Sequence, residues 1–288
     1  MRPTIYYRWW WLMRGDDVTY LQQQLAAKGH NPGTIDGIFG PKTRDAVTAF
    51  QWTAGIGVDG IVGPETWGAI EASKKPMEGL NYIKFTRGRT EYYLLKAERN
   101  KVKVDILGEP RKLQRLSSMA GGYIAAISGG FFYNTAPIGT VLRDGWTWTL
   151  EHKNYATVDL DNWEMYANGH PAIDLLRRGV KNCISSQPQL LPVTHRPDST
   201  SLEGRGPRAA LGWNTRVIFA LVADGRTSTS IGATFPELAQ VLKEMGATHA
   251  LALDGGGTAE MIYQGRIMNK PSDGRERPMP VGLGFKMK

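Results

Sequence analysis

The sequence of 288 residues has one cysteine, Cys183, so no intramolecular disulfide can form and a four-cysteine zinc site is excluded. Stability must come from packing. The five histidines, His30, His152, His170, His195 and His249, are scattered, without the close spacing of a helix-borne zinc pair. No hydrophobic run is long enough to span a membrane. The aromatic stretch Tyr6-Tyr7-Arg8-Trp9-Trp10-Trp11-Leu12 is short, is broken by Arg8, and lacks the apolar core and cleavage site of a signal peptide. Its rings are expected to pack on the first domain, the alternative being an aromatic ligand platform. Nor is there a run of like charges or a nucleic-acid-binding motif, which speaks against a nucleic-acid partner. The net charge of +8 nevertheless favours polyanions, among them the phosphate-bearing polymers of bacterial walls.

What the chain does have is an internal repeat. Asp36-Gly37-Ile38-Phe39-Gly40-Pro41-Lys42-Thr43 returns as Asp59-Gly60-Ile61-Val62-Gly63-Pro64-Glu65-Thr66, and each copy opens a short helical pattern. Proline suits the first helical turn, where no N–H is needed, and the glycine before it permits a tight approach. Ala46, Val47 and Phe50 follow the first copy at helical spacing, and Trp67 and Ile70 follow the second. A third helix precedes both, with Asp17 expected as N-cap, Val18, Leu21 and Leu25 as apolar stripe, and Gly29 just past its end. The Asp-Gly pairs read as turns whose Asp caps nearby N–H groups. On these positions, together with Gly15, Gln22, Gln51 and Thr66, residues 14–71 closely resemble a peptidoglycan-binding module of the three-helix type. The resemblance implies recognition of wall material by the module's surface.

Ser73-Lys74-Lys75-Pro76-Met77-Glu78-Gly79 reads as a polar linker. The expected organisation is a wall-binding domain over 1–73, a linker at 74–79 and a second domain over 80–288. In that domain residues 155–160, 217–223 and 250–253 read as strands. Thr234 and Glu237 form a capping box ahead of Leu238, Val241, Leu242 and Met245, with Gly246 as the stop. This order places Asp224 and Asp254 at the carboxyl ends of two strands read as parallel neighbours, where ligands of such sheets bind. The expected fold is α+β: a small all-α three-helix domain followed by a mixed α/β sheet domain. Residues 192–206 have no apolar period and read as a disordered excursion or a mobile lid.

Glycine then recurs beside polar and charged residues. The segments are Ile127-Ser128-Gly129-Gly130-Phe131-Phe132-Tyr133-Asn134, Gly206-Pro207-Arg208-Ala209-Ala210-Leu211-Gly212, Ala223-Asp224-Gly225-Arg226, Leu253 to Glu260, and Asn269-Lys270-Pro271-Ser272-Asp273-Gly274. In this order they resemble the signature of the phosphodiester glycosidase family, over roughly residues 120–285. That family includes the enzyme that removes N-acetylglucosamine from a phosphodiester to uncover mannose 6-phosphate. One departure is Ser128, where the family usually carries Asn; serine keeps a donor and an acceptor but is shorter. The resemblance implies substrate-binding roles for Gly129, Gly130, Asn134, Arg226, Gly255, Gly256, Gly257, Thr258, Asn269 and Asp273.

The chemistry asks for a phosphate grip and a carboxylate. A glycosyl phosphodiester already has a stable phosphate monoester as leaving group, so charge stabilisation matters more than protonation. Arg208 is the candidate bidentate clamp; Gly255, Gly256 and Gly257 can take positive φ, so their N–H groups can turn toward one point and complete it. Asp254 is the first choice for the carboxylate facing the sugar, as nucleophile or as base for water, and Glu260 is the second. Asp224 joins the catalytic set or forms a supporting ion pair with Arg226. No cofactor is required, but calcium or magnesium on Asp254, Glu260 or Asp273 stays open, since hard cations need only oxygen ligands. The expectation is a wall hydrolase that binds peptidoglycan and cleaves sugar-1-phosphate links in an anionic glycopolymer such as a teichoic acid. With no signal peptide seen, it is expected to be phage-encoded, released by lysis or carried on the virion. The alternatives are a peptidoglycan amidase or peptidase, and a non-catalytic wall-binding virion component.

Overall fold

The computed structural model describes residues 3–7, 12–54, 56–71, 78–149, 155–167, 169–192 and 204–288, in two compact units, Met1–Pro76 and Met77–Lys288. Residues 72–77, with most of the expected 74–79 linker, residues 8–11 of the aromatic stretch, His152, His195 and residues 193–203 of the polar stretch lie outside the described residues.

The first unit holds helices α1 (Asp16–Ala27), α2 (Pro41–Ala54) and α3 (Pro64–Glu71). The N-cap of α1 is Gly15 at φ 130°, not Asp17. The reason is a backbone contact: Gly15 N–H donates to Gly37 O at 3.1 Å while its carbonyl accepts from Val18 and Thr19, each at 3.0 Å. Asp16 and Asp17 occupy the first turn instead, where negative charge suits the helix dipole. At the other end Gly29 takes φ 84° and His30 N–H reaches back to Leu25 O at 2.9 Å. Leu21, Leu25, Phe39, Val47, Val62 and Ile70 close one buried core, on which Ile5 also packs.

The repeat reappears as two copies of one hydrogen-bonded device. Gln22 Nε2 donates to Asp36 Oδ1, Ile38 O and Thr43 Oγ1 at 3.0 to 3.1 Å, and its Oε1 accepts from Gly37 N at 2.9 Å. Gln51 does the same one helix later, to Asp59 Oδ1 (2.7 Å), Ile61 O (2.9 Å) and Thr66 Oγ1 (3.0 Å), accepting from Gly60 N at 2.8 Å. Each Asp caps the N–H two residues on, Ile38 and Ile61. The repeated Asp-Gly is therefore scaffold: in each copy the exposed Asp and the Gly beside it bind one buried glutamine.

The second unit contains β1 (Leu80–Arg87), β2 (Thr90–Glu98), β3 (Val102–Gly108), α4 (Leu116–Met119), β4 (Ala125–Ser128), β5 (Phe132–Tyr133), β6 (Ala136–Pro137), β7 (Val141–Arg143), β8 (Trp146–Thr147), β9 (Ala156–Asp159), β10 (Met165–Tyr166), α5 (Ala172–Arg177), β11 (Cys183–Ser186), β12 (Gln189–Leu191), β13 (Arg208–Trp213), β14 (Val217–Ala223), α6 (Phe235–Glu244), β15 (His249–Leu253), β16 (Met261–Tyr263), β17 (Arg266–Ile267) and β18 (Val281–Met287). A six-stranded sheet runs β1-β2-β14-β13-β15-β12, and two five-stranded sheets run β10-β9-β11-β7-β8 and β17-β16-β4-β18-β3. With three helices in the first unit and strands dominating the second, the chain is α+β.

Every strand pair among the described residues is antiparallel. β14 and β15 do point the same way, but β13 lies between them, so Asp224 and Asp254 do not follow neighbouring strands. The continuous apolar runs that invite a parallel reading have another cause. One face of the six-stranded sheet packs through Tyr93, Leu211, Val222 and Leu253, and the other packs through Leu221, Ala250 and Ala252 against Leu238, Val241 and Leu242 of α6. A strand covered on both faces has no polar side to alternate with. The capping box of α6 is formed: Thr234 Oγ1 accepts from Glu237 N, and the Glu237 carboxylate accepts from Thr234 N at 2.8 Å.

Candidate active site

The antiparallel order brings three chain segments to one end of the six-stranded sheet. Arg208 opens β13 opposite Ala223, the last residue of β14, and Ala209 pairs with Leu253, the last residue of β15. Arg208, Asp224 and Asp254 thus gather although 46 positions separate the first from the last.

Asp254 is half-buried at the end of β15. Its N–H donates to Gly129 O at 2.8 Å, tying the Gly129-Gly130 segment to the loop. Thr258 Oγ1 stands 2.6 Å from both Asp254 Oδ2 and Gly255 O, and its single proton serves one of them at a time. Burial raises the Asp254 carboxyl to about 6, and the hydroxyl of Thr258, the N–H of Gly255 and the charges of Arg277 and Arg208 oppose it.

Arg208 is 6% exposed. Nη2 donates to Gly204 O at 2.6 Å, and the guanidinium lies 4.6 Å over the Phe235 ring. Burial, then the neighbouring charge of Arg226, lower its pKa. Two other guanidinium groups approach the glycine loop. A methyl group placed on Gly206 meets Arg208 Nη1 and Arg226 Nη2 at 3.8 Å each, and one on Gly256 meets Arg226 Nη1 at 3.6 Å. On Gly257 it overlaps the Asp273 carboxylate and stands 2.6 Å from Arg277 Cζ. Asp273 and Arg277 are themselves paired, Nη2 to Oδ2 at 2.6 Å.

These contacts correct the expected role of the three glycines. Only Gly256 has positive φ, 64°, and Gly256 to Thr258 form a short 3-10 turn. Gly256 N–H is donated to Pro207 O at 3.0 Å, so the loop is no open row of N–H groups. Its lack of side chains serves approach, leaving room for the Asp273–Arg277 pair and the arginines. Gly129 and Gly130 act likewise: a Cβ on the first would lie 2.6 Å from Val281 O, and on the second 2.5 Å from Ser185 O.

Asp224 is 1% exposed and makes no ion pair with Arg226. It accepts instead from Tyr93 Oη (3.0 Å), Asn269 Nδ2 (3.1 Å) and Lys270 N (3.1 Å). Asn269 spends its remaining capacity on Met261 N and Ala259 O, at 2.8 and 2.9 Å, and is buried rather than turned to a ligand. The pair ties the 269–270 chain to Ala259 and Met261, the residues that follow the glycine loop. Arg226 keeps an exposed position at φ 58°. Asn134 is exposed in the turn between β5 and β6 at φ 53°.

Glu260 is fully buried, and neither carboxylate oxygen has a hydrogen-bond donor in the structure. Burial first, then the facing carboxylate of Glu276, push it up to about 8. Glu276 is held by Ser117, whose N–H and hydroxyl donate at 2.9 and 2.6 Å. Beside Glu260, Ser128 donates its N–H to Glu260 O at 3.2 Å, and its hydroxyl is buried without a partner. Among the described residues no three His, Cys, Asp or Glu side chains gather as a metal group. Cys183 is buried in β11, its thiol pushed up to about 12 by burial.

Sequence reasoning missed Arg277, Glu276, Tyr93 and Phe235. Arg277 alone carried a local signal, its i,i+4 spacing from Asp273. Charge divides unevenly as well. Residues 1–76 hold eight Lys and Arg against seven Asp and Glu, which leaves +7 of the chain's +8 on the unit that carries this site.

Two family models match the chain: phosphodiester glycosidase over residues 121–286, and a peptidoglycan binding domain over residues 14–70. The SPbeta prophage-derived uncharacterized protein YomE of Bacillus subtilis is 26% identical over 175 residues, 54% of this chain and 26% of that protein. The N-acetylmuramoyl-L-alanine amidase CwlA of the same organism is 49% identical over 70 residues, 22% of this chain and 26% of that protein. The chain thus spans about a quarter of the length of each of these two relatives. Among solved structures, the zebrafish N-acetylglucosamine-1-phosphodiester alpha-N-acetylglucosaminidase catalytic domain, auto-inhibited by its pro-peptide, superposes with a TM-score of 0.59. It shares 18% identity, over 73% of this chain and 82% of that one.

Proposed function

Because this chain belongs to the phosphodiester glycosidase family, we propose that it is a wall-bound hydrolase of sugar-1-phosphodiester links in an anionic wall glycopolymer such as a teichoic acid. The observation that carries the reading is the convergence of Arg208, Arg226 and Arg277 on the glycine loop beside the half-buried carboxylate of Asp254. Three guanidinium groups against one loop supply the positive charge that a phosphodiester pairs with. Arg208 is fixed by Phe235 and Gly204, so its planar fork is set before substrate arrives.

In this reading the arginines hold the phosphate as leaving group while Asp254 faces the anomeric carbon. Above a pH of about 6 the carboxylate is ionised and acts as nucleophile or as base for water. The C–O bond breaks and its electron pair leaves with the phosphate, whose added charge the guanidinium groups stabilise. Glu260, wholly buried, supports from behind rather than touching the sugar. Asp224 acts at one remove, through Asn269 and Lys270.

Phage origin and action at the wall fit the prophage-derived relative and the peptidoglycan binding domain. The 70-residue match to an amidase is about the length of the helical module and lends the catalytic unit no amidase chemistry. The test is hydrolysis of walls of defined polymer composition in heavy-oxygen water. The label is expected in the released sugar's anomeric hydroxyl, read by mass before anomeric exchange, and not in the phosphate. Label in the phosphate overturns C–O cleavage, peptide fragments point to an amidase or peptidase, and tight binding without product points to a non-catalytic component.

A further inference from the structure

Among the described residues, the helical module has a second face turned away from its core. Along α2, Ala46, Val47, Phe50 and Gln51 turn into the core, while Asp45, Thr48, Ala49 and Trp52, at i, i+3, i+4 and i+7, form a stripe on the opposite side. That stripe, with His30 and Val58, lines an open groove of about 620 Å³, within the range of about 300–1,000 Å³ usual for small-ligand sites. Trp52 is 76% exposed and Val58 49%, a costly way to present apolar surface unless something covers it. His30 is braced edge-on against Phe50 at 5.7 Å, so that wall of the groove is anchored to the core.

We propose that this groove is the module's wall-binding site and that it takes the glycan strand of peptidoglycan, with a sugar ring stacked on Trp52. The proposal rests on the peptidoglycan reading of residues 14–70 and deepens it by naming the site and the part of the polymer that fills it. Charge selects the glycan. The groove's one carboxylate, Asp45, is already matched by Arg44 at 2.6 Å, so it suits neutral N-acetylated sugars better than stem peptides with free carboxylates and amines. An indole face covers the apolar face of a pyranose, and Asp45 and Thr48 lie beside it with oxygen atoms for the ring's hydroxyls.

The experiment uses the full chain. Sedimentation with peptidoglycan stripped of other polymers is measured for the native protein, Trp52→Ala, Ala49→Glu, which fills the exposed groove floor, and Ile35→Ala, an exposed position outside the groove. Both groove variants are expected to bind at least tenfold more weakly with unchanged melting temperature, and Ile35→Ala to bind normally. Soluble neutral oligomers of N-acetylglucosamine should compete with binding and quench tryptophan fluorescence in the native protein but not in Trp52→Ala. Normal binding by both groove variants overturns the groove and leaves the module's wall binding intact. Competition by free stem peptides and not by the neutral sugar oligomers overturns the choice of ligand. Failure of the native protein to sediment overturns the peptidoglycan reading and the groove with it.

Discussion

Thr258 Oγ1 lies 2.6 Å from Asp254 Oδ2, a side-chain bond closed within a single turn of the glycine loop. It holds down a carboxyl that burial raises to about 6. Thr258→Val removes the donor at nearly equal volume, so the ascending limb of the pH–rate profile is expected to move to higher pH, while Thr258→Ser leaves it in place. An unmoved limb in Thr258→Val would show that Asp254 is not the group titrating there.

Asp254→Asn keeps the shape and removes the charge. Turnover should fall at least ~100-fold with the fold intact, and the limb near 6 should vanish from any residual activity. Arg208→Lys should also be damaging, because an ammonium on a flexible stem cannot reproduce the fork held over Phe235. Near-normal turnover in well-folded Asp254→Asn moves the carboxylate role elsewhere.

Glu260 couples stability to pH in the direction opposite to a salt-bridged acid. Its folded pKa is raised from 4.5 to about 8, so the native state holds a proton that the unfolded state releases, and stability falls as pH rises from about 4.5 to 8. Glu260→Gln carries no such proton. Its melting temperature should exceed that of the native protein at pH 8 to 9, and the difference should shrink toward pH 5. A difference that does not vary with pH rules out the buried-acid account.

Asp224→Ala removes the acceptor of Lys270 N and one acceptor of Asn269 Nδ2, which keeps Ala259 O, and leaves Tyr93 Oη only Glu91 Oε2 at 3.2 Å. Buried donors stripped of a partner cost about 1–3 kcal/mol each, so chemical denaturation should show a clear loss of stability. Activity should fall with it, since the 269–270 chain is tied to the residues that follow the loop. If activity falls and stability does not, Asp224 acts on substrate directly.

Much of this molecule is legible locally. The duplicated Asp-Gly segment, the capping box at Thr234 and Glu237, and the apolar run ending at Asp254 each declare an element through contacts within a few residues, and the structure has all of them. The N-cap of α1 is not legible locally, because Gly15 is chosen by a bond to Gly37, 22 residues away.

The choice of candidate groups was legible in the sequence alone: Arg208, Asp224, Asp254 and Glu260 stand in segments that set charge beside glycine. Their division of labour was not. Whether Asp224 meets Arg226 or Asn269, whether the glycines offer N–H groups or space, and whether Glu260 sees solvent all depend on which strands lie side by side. β13 comes between β14 and β15, and the 269–277 segment folds against the loop. Strand order is a long-range choice, because a sheet covered on both faces makes antiparallel and parallel strands look the same in sequence. Only tertiary packing could bring Arg277 to Asp254 or face Glu276 toward Glu260, since a pKa responds to neighbours in space and not along the chain.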